Sequence, residues 1–458
     1  MAASRLNLAI DTGSEVVVKR FRDLEPDPSW AFWHLTQAQT SYATHGYHRY
    51  PAKFIPQLTA RLIEEYSQAG ELVADPFMGS GTTLVEAKLL RRPSIGVDIN
   101  PVAYWVTRAK VQAIEPERLR QAVEQLQNFL FGNTGVGFAG WTQPSLFGDW
   151  KSEIGDGGWH VPIPDRLTYW FPPQSLNALM QIQKAIDALD ADAQIKVFFR
   201  CALSHCLKPL SWWSDRSVKP MRNLNKRIPD AYTVFFRHVK RMQRGNREFW
   251  RLLCERDALN VPAEPYCADA RCLPVENHSV RLIVTSPPYV TSYEYADLHQ
   301  LSALWFGTMT NLREFRTGFI GRSNGVTAAV DAPLGSAIAE QIVDALSERN
   351  PRKAKEVALY FAEMRQCFTE MQRVLRPKGV LCIVIGNTHL HGIEIQNAQV
   401  FAEQLQALGF ELERVILREI PSKILPRTRD KATGRFAKTT KADYIAYPTE
   451  YIVVSRKR

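Results

Sequence analysis

Residues 71–100 read ELVADPFMGSGTTLVEAKLLRRPSIGVDIN, and this stretch decides the fold. ELVADPF is a short apolar run of strand type. It breaks at Gly79-Ser80-Gly81, and the following TTLVEAKLLRR has helical spacing. SIGVDIN is a second strand. Strand, glycine-rich turn, helix and strand make a βαβ unit, which implies a parallel sheet. Glycines in such a turn let a ligand approach the backbone, and the helix that follows offers free N–H groups to an anion. Asp98 closes the second strand about twenty residues past the loop, where an acidic side chain binds ribose hydroxyls. Together these features predict a site for an adenosine-containing ligand, with an unliganded βαβ turn as the competing reading. The phosphate loop GxxxxGK[ST] is missing, which excludes that class of nucleotide site.

Working outward, residues 1–40 read as an irregular N-terminal arm with Pro26, Pro28 and several aromatics. LTARLIEEYSQA is helical and stops at Gly70. Beyond Asp98 the text changes. ERLRQAVEQLQNFLF, SLNALMQIQKAIDAL, AQIKVFFRCALSHCL and YTVFFRHVKRMQRGNREFWRLLCERDAL are all helical, with a Gly-, Trp- and Pro-rich patch among them. No strand signature intervenes, so 111–262 is predicted as a mostly helical insertion. Strands resume with AEPYCADAR and VRLIVTSPPYV. A helix, KEVALYFAEMRQCFTEMQRVL, leads through RPKG to the strand GVLCIVIGN. Another helix precedes FELERVILREI, and TEYIVVSRK is the last strand. The last two strands are expected to pair at one edge of the sheet, joined by a long basic loop, 421–448. The predicted class is therefore α/β, a Rossmann-like sheet built from 41–110 and 263–458 and interrupted by helices.

The chain has 458 residues, 45% of them hydrophobic, and a formal net charge of +10. That is enough for a large core, and the charge favours a polyanionic partner. Seven cysteines occur without a CxxC pair. Cys201/Cys206 and Cys267/Cys272 are spaced too widely for ordinary zinc ligands, so reduced thiols and no metal are expected. Charges in the first twenty residues argue against a signal peptide, and no apolar run is long enough to span a bilayer. A cytoplasmic protein is expected.

A second constellation, Thr285-Ser286-Pro287-Pro288-Tyr289, directly follows the strand RLIV. Two prolines fix the backbone and remove two N–H donors. Carbonyls and the Ser286 hydroxyl remain as acceptors, and Tyr289 is held as an aromatic plane. The carboxyl ends of parallel strands are where ligands sit in this architecture. These groups suit one demanding nucleophile, an exocyclic amino group, whose lone pair is delocalised into a ring. Acceptors such as the Ser286 hydroxyl and the Pro287 carbonyl draw that nitrogen toward tetrahedral geometry while the Tyr289 face stacks on the ring. Positioning and electrostatics then carry the catalysis, with neither metal nor covalent intermediate.

With both constellations present, the sequence resembles the amino-methylating DNA methyltransferases, which act on adenine N6 or cytosine N4. DPFMGSGTT looks like their S-adenosylmethionine loop and TSPPY like their catalytic tetrad. HRYPAKFIP looks like the segment that closes the methionine end of the pocket. Cys267-Ala-Asp269-Ala resembles the strand whose acid meets the cofactor's adenine. The resemblance covers 41–110 and 264–458. It implies that Ser286, Pro287, Pro288 and Tyr289 are catalytic. Asp75, Phe77, Gly79, Gly81, Thr82, Thr83, Asp98, Ile99, Asp269 and Lys53 are implied at the cofactor, Asp75 more as a shaper of the loop. Serine in the first tetrad position goes mainly with cytosine N4 in this family. Adenine N6, an RNA base amino group and a non-catalytic DNA-binding module are the alternatives. Most relatives carry a target-recognition domain elsewhere, so the insertion after Asp98 departs from the family pattern.

Double-stranded DNA is the partner implied, with the target nucleotide extruded from the duplex. Phosphate contacts are expected from two basic segments. One holds Arg216, Lys219, Arg222, Lys226 and Arg227, and runs on through the cations of the next helix. The other, in the terminal loop, holds Lys423, Arg427 and Arg429. Trp212 and Trp213 are candidates for base stacking or for the core, and Tyr293 and Tyr295 for target contacts. A restriction–modification setting, with a cognate restriction endonuclease and nucleoid DNA as substrate, is implied as well; a solitary methylase would read the same.

Overall fold

The computed structural model describes residues 17, 19–50, 54–132, 165–217, 219–290, 295–309, 311–321, 333–420, 428–429, 444–445 and 449–458, without side chains at 295, 428, 429, 444 and 445. Lys53, Tyr293, Lys423 and Arg427 lie outside these residues, as do the side chains of Tyr295 and Arg429.

The strands are β1 (Val73–Asp75), β2 (Ser94–Asp98), β3 (Ala263–Cys267), β4 (Val280–Thr285), β5 (Leu375–Ile385), β6 (Thr388–Leu390), β7 (Ile393–Ile395), β8 (Phe410–Glu419), β9 (Thr428–Arg429), β10 (Tyr444–Ile445) and β11 (Thr449–Lys457). Seven of them form one sheet in the order β3-β2-β1-β4-β5-β11-β8. β1 to β5 are mutually parallel, and β11 runs antiparallel to both β5 and β8. The chain moves outward from β1 through β2 to β3, then jumps back across β1 to β4. The switch point, where a crevice opens at the strand ends, thus lies between β1 and β4.

The helices are α1 (Pro56–Tyr66), α2 (Thr82–Leu89), α3 (Pro101–Val111), α4 (Pro116–Phe131), α5 (Asp165–Trp170), α6 (Pro173–Ala188), α7 (Ala193–Leu207), α8 (Ala231–Glu255), α9 (Tyr295–Trp305), α10 (Leu312–Thr317), α11 (Ala337–Arg349), α12 (Pro351–Val374) and α13 (Asn397–Ala407). Alternation along the strands feeds two cores. Leu282, Val284, Val380, Cys382 and Val384 face Leu58, Leu62 and Ile63 of α1. Ile283, Leu381, Ile383 and Ile385 face α12 and α13 through residues such as Phe361, Phe368 and Phe401. Burial on both faces explains why these strands read as continuous apolar runs.

A third core belongs to α4–α8, where Leu126, Leu179, Phe198, Phe199 and Phe235 meet. Leu301, Leu304 and Trp305 of α9 belong to it too. The helix that follows the tetrad is therefore packed into the insertion. The described part of the N-terminal arm runs along β8, with Asp27 N–H donating to the Leu417 carbonyl at 2.8 Å and the Arg418 Nε donating to the Trp30 carbonyl at 2.8 Å. It covers an edge that would otherwise offer unpaired backbone groups. β5 begins at Leu375, four residues before the expected GVLCIVIGN, because Leu375 pairs with Val280 before the register slips at Arg376–Lys378.

Candidate active site

The loop after β1 is held open by its glycines. Gly79 and Gly81 have φ of +47° and +72°, in the left-handed region. A Cβ on Gly81 would lie 2.5 Å from the Thr107 methyl, so no other residue fits there. α3 braces the loop from behind. Thr107 Oγ1 donates to the Gly79 carbonyl at 3.2 Å, and the fully buried Lys110 donates to the Ser80 carbonyl at 2.8 Å. α2 starts from Gly81 without a side-chain cap, which leaves its first N–H groups for a ligand. Thr82 and Thr83 begin that helix, and Phe77 stands half-buried in the loop before it.

Asp98 closes the other wall. Its Oδ2 accepts from Gly79 N–H at 3.0 Å and its Oδ1 from Asn100 N–H at 2.9 Å. Each oxygen keeps a lone pair for a hydroxyl. Ile99 lies against Gly318, where a Cβ would come within 3.0 Å of its Cδ1. Asp269 stands beyond β3 and is engaged by Arg271, whose Nη2 is 2.6 Å away and which also pairs with Glu363 at 3.0 Å. Burial raises the Asp98 carboxyl to about 6. Burial opposes ionisation of Asp269 as well, yet its hydrogen bonds with Arg271 hold it below the usual carboxylate range.

Asp75 ties the loop to the tetrad strand. Its Oδ1 accepts from Thr285 Oγ1 at 2.7 Å and from Phe77 N–H at 3.1 Å, and its Oδ2 accepts from Thr83 Oγ1 at 2.7 Å. The side chain is buried, which pushes its carboxyl up to about 6. With both oxygens committed to the protein, Asp75 shapes the loop. Ser286 follows Thr285 directly, so the loop and the tetrad share one hydrogen-bonded hub. The tetrad turn is pinned at its far end by Tyr360 of α12, buried, whose hydroxyl donates to the Pro288 carbonyl at 2.8 Å. The Tyr289 ring rests over Gly386, where a Cβ would lie 3.3 Å from its Cε2. Ser286 and Tyr289 are half-buried at the mouth.

The segment before α1 forms the third wall. Tyr42 hydroxyl donates to Glu86 Oε1 at 2.7 Å, and His45 Nε2 lies 2.6 Å from the same oxygen, fastening the segment to α2. Tyr50 then lies against Gly79, 3.2 Å from where a Cβ would stand, and stacks on His299 of α9 at 4.5 Å. Burial lowers His299 to about 4, so this is a neutral stack.

The predicted basic positions divide. Arg216, Lys219 and Arg227 are exposed. Lys226 is not: its side chain is 5% exposed, it pairs with Asp215 at 2.9 Å, and it donates to the Lys208 and Trp213 carbonyls at 3.0 and 2.9 Å. Its ammonium staples its own loop and has no freedom to meet a phosphate. Arg222 lies between the rings of Tyr169 and Trp212, 4.3 and 4.6 Å from their centroids. Trp213 is a core residue, stacked on Trp170 at 5.3 Å. On α8, Arg237, Lys240, Arg241, Arg244, Arg247 and Arg251 are all exposed. Thr107, Lys110, Tyr360 and Gly386 escaped the sequence reading. Each acts through a partner more than twenty-five residues away, so no local pattern marks it.

A parallel sheet of this order, with a glycine loop after β1, an acid closing β2 and a tetrad after β4, defines the Rossmann-like S-adenosylmethionine-dependent methyltransferases. The chain belongs to the DNA methylase family of N6/N4 amino methyltransferases, whose pattern it matches over residues 13–107 and 280–458. It is 26% identical to the type II methyltransferase M.MvaI of Kocuria varians over 90% of this chain and 92% of that one. It is 22% identical to the type II methyltransferase M.BsoBI of Geobacillus stearothermophilus over 61% of this chain and 56% of that one. A SAM-dependent methyltransferase from Methanosarcina mazei, 9% identical over 90% of this chain and 98% of that one, superposes with a TM-score of only 0.26, so strand order carries the fold. The protein is thus a DNA methyltransferase of the amino-group type, and its methyl donor is S-adenosylmethionine. The donors and acceptors around Gly79, Gly81 and Asp98 suit a ligand with an anionic end and ribose hydroxyls. Among the described residues no His/Cys/Asp/Glu cluster could hold a metal, and no helix is long and apolar enough to cross a membrane.

Proposed function

We propose that the enzyme methylates cytosine N4 at a specific sequence in duplex DNA. The observation that carries this reading is Ser286 at the head of the tetrad, one residue from the Thr285–Asp75 bond that joins the tetrad to the cofactor loop. Asp98, Gly79, Gly81, Phe77, Ile99 and the N-terminal turn of α2 at Thr82 and Thr83 hold the donor, with Asp269 toward its adenine. When bound, S-adenosylmethionine supplies an activated methyl group on a sulfonium. Ser286 Oγ and the Pro287 carbonyl accept the two hydrogens of the amino group, and Tyr289 stacks on the extruded base. Localising the nitrogen lone pair in this way lowers the barrier to attack on a methyl carbon, and the surplus proton leaves along the same acceptors. Exposed cations of 216–227 and of α8 grip the phosphates. The kinship with type II methyltransferases supports a restriction–modification role on nucleoid DNA beside an endonuclease of the same specificity.

The test is modification mapping of genomic DNA from cells making the wild-type chain or a Ser286→Ala, Tyr289→Ala variant. N4-methylcytosine at one short sequence, absent from the variant, is expected. N6-methyladenine instead would keep the enzyme and overturn the role given to Ser286. No modified base in DNA would overturn the substrate.

A further inference from the structure

We infer that residues 212–217 and 219–227 form a DNA wedge, whose Met221 and Leu224 enter the base stack and hold open the gap left by the target nucleotide. This rests on the DNA-methylating function proposed above.

The loop is a hairpin rather than a loose basic run. Trp213 and Arg222 form a β-bridge, Asn223 N–H donates to the Trp212 carbonyl at 2.7 Å, and Ser214 N–H donates to the Met221 carbonyl at 2.8 Å. Lys226 staples its base, and Lys208 donates to the Ser217 carbonyl at 2.9 Å. A wedge must be rigid, and two backbone bonds and two lysine side chains hold this one. On this hairpin Met221 and Leu224 are 50% and 61% exposed. A single exposed leucine signifies little. Here two exposed apolar side chains lie on the hairpin whose Arg222 meets the exposed Tyr169, and the same hairpin carries the exposed cations Arg216, Lys219 and Arg227, which have no acidic partner among the described residues. Arg222 is clamped between two aromatic rings, which fixes a cationic plane on the hairpin. Exposed apolar side chains on a rigid, cationic hairpin match what wedging proteins present to a base step.

Position fits as well. The hairpin rises from the end of α7, and His205 in that last turn accepts from Arg49 N–H at 3.2 Å. The next residue, Tyr50, lies on Gly79 of the cofactor loop. α5, which carries Tyr169, is bonded to α9 through Arg166 and Gln300 at 3.1 Å. With Trp212 N–H donating to the Trp170 carbonyl at 2.8 Å, these links tie the base of the hairpin to the segment beside Gly79 and to α9, the helix that follows the tetrad. From the hairpin's far end α8 extends its row of six exposed cations as a track for phosphates. Extruding a base costs a few kcal/mol in lost stacking and pairing, and a side chain that fills the gap recovers part of it.

The experiment compares the full-length wild type with Met221→Ala, Leu224→Ala, on duplexes carrying the mapped site with the target either paired or mismatched. On paired DNA the variant should bind within about threefold of wild type, because phosphate contacts dominate affinity, yet methylate roughly tenfold more slowly in a single turnover. Its 2-aminopurine signal for the extruded base should fall in step. A mismatched target, already unpaired, should restore the rate. Met221→Leu, Leu224→Met should behave as wild type. Equal rates on paired DNA, or a loss that the mismatch does not rescue, would overturn the wedge while leaving the methyltransferase intact. A wild type that methylates no duplex would overturn the function itself.

Discussion

The two halves of this molecule keep their chemistry in different places. In the sheet half, the proposed site gathers where strands end. Asp75, Asp98 and Ser286 close three neighbouring or near-neighbouring strands, and the topology brings them together whatever their separation in sequence. In the helical half, the described interior is largely apolar, with a few buried polar groups such as Ser204 and His238, and the cations proposed to meet DNA lie on the outside, on α8 and the 212–227 hairpin. A parallel sheet converts strand order into a site. A helix cluster converts its core into a platform and leaves function to surface side chains. α9 joins the two, since it leaves the tetrad and is buried among the insertion's helices.

That contrast can be broken by experiment. Its strongest consequence is that Ser286→Ala should lower kcat by about 10² to 10³, the usual loss for one preorganised polar partner of the transition state, with cofactor affinity by calorimetry unchanged. Charge removal in the insertion should act in the opposite way. Arg216→Gln, Lys219→Gln and Arg227→Gln together should weaken duplex binding by roughly tenfold or more and leave cofactor affinity alone. The salt slope of binding should flatten by about 0.9 for each phosphate that is no longer neutralised. If that triple variant bound cofactor poorly instead, the separation would fail. Lys226→Met sharpens the point, since it should lower the melting temperature rather than the salt slope.

A pH series on cofactor binding tests the sheet half. Burial raises Asp98 from 3.8 to about 6. Between about pH 4 and 6 the folded protein holds a proton there that the unfolded chain has released, so the contribution of Asp98 to the stability of the ligand-free protein falls as pH rises through that window, while buried histidines such as His299, lowered to about 4, contribute with the opposite sign. Cofactor affinity runs the other way, because ribose hydroxyls need the ionised acceptor. It should drop by up to about tenfold per unit below pH 6 and be flat above, a profile that Asp98→Asn should abolish. The smallest effect expected is that of Tyr360→Phe. Losing one buried hydrogen bond of about 1 kcal/mol to Pro288 should cut kcat about fivefold while the KM for S-adenosylmethionine holds. An equal change in both would make Tyr360 a structural residue only.

The sequence was most legible where cause and effect are neighbours. The loop 75–83, Asp98 and the tetrad each carry their own local reason, a turn geometry or a strand end. The strand pairing and the position of the switch point follow from them. Legibility failed where a side chain's fate depends on what folds against it. Lys226 sits in a basic run and reads as a phosphate contact, yet two carbonyls and Asp215 claim its ammonium. Lys110 looks like a surface lysine in helical text and is instead fully buried under the cofactor loop. Tyr360 is one aromatic among many until α12 packs beneath the tetrad. The helices among the described residues of 111–262 were readable from their periodicity, but nothing in that periodicity said that α9 would join their core.

β11 lies between β5 and β8, and this has a consequence for how the protein comes to be folded. β8 has no neighbour in the sheet except β11, and β5 has β11 as its only partner on that side. When β8 leaves the ribosome it therefore has no ladder to join. It must wait, packed against α13 and the N-terminal arm, until about forty more residues have been made and β11 slides in between. Contacts this distant in sequence form late and slowly. A lesion in β11 would thus release two strands rather than one and expose the free edge of β5, so poor yield of such variants would reflect interrupted assembly rather than lost chemistry.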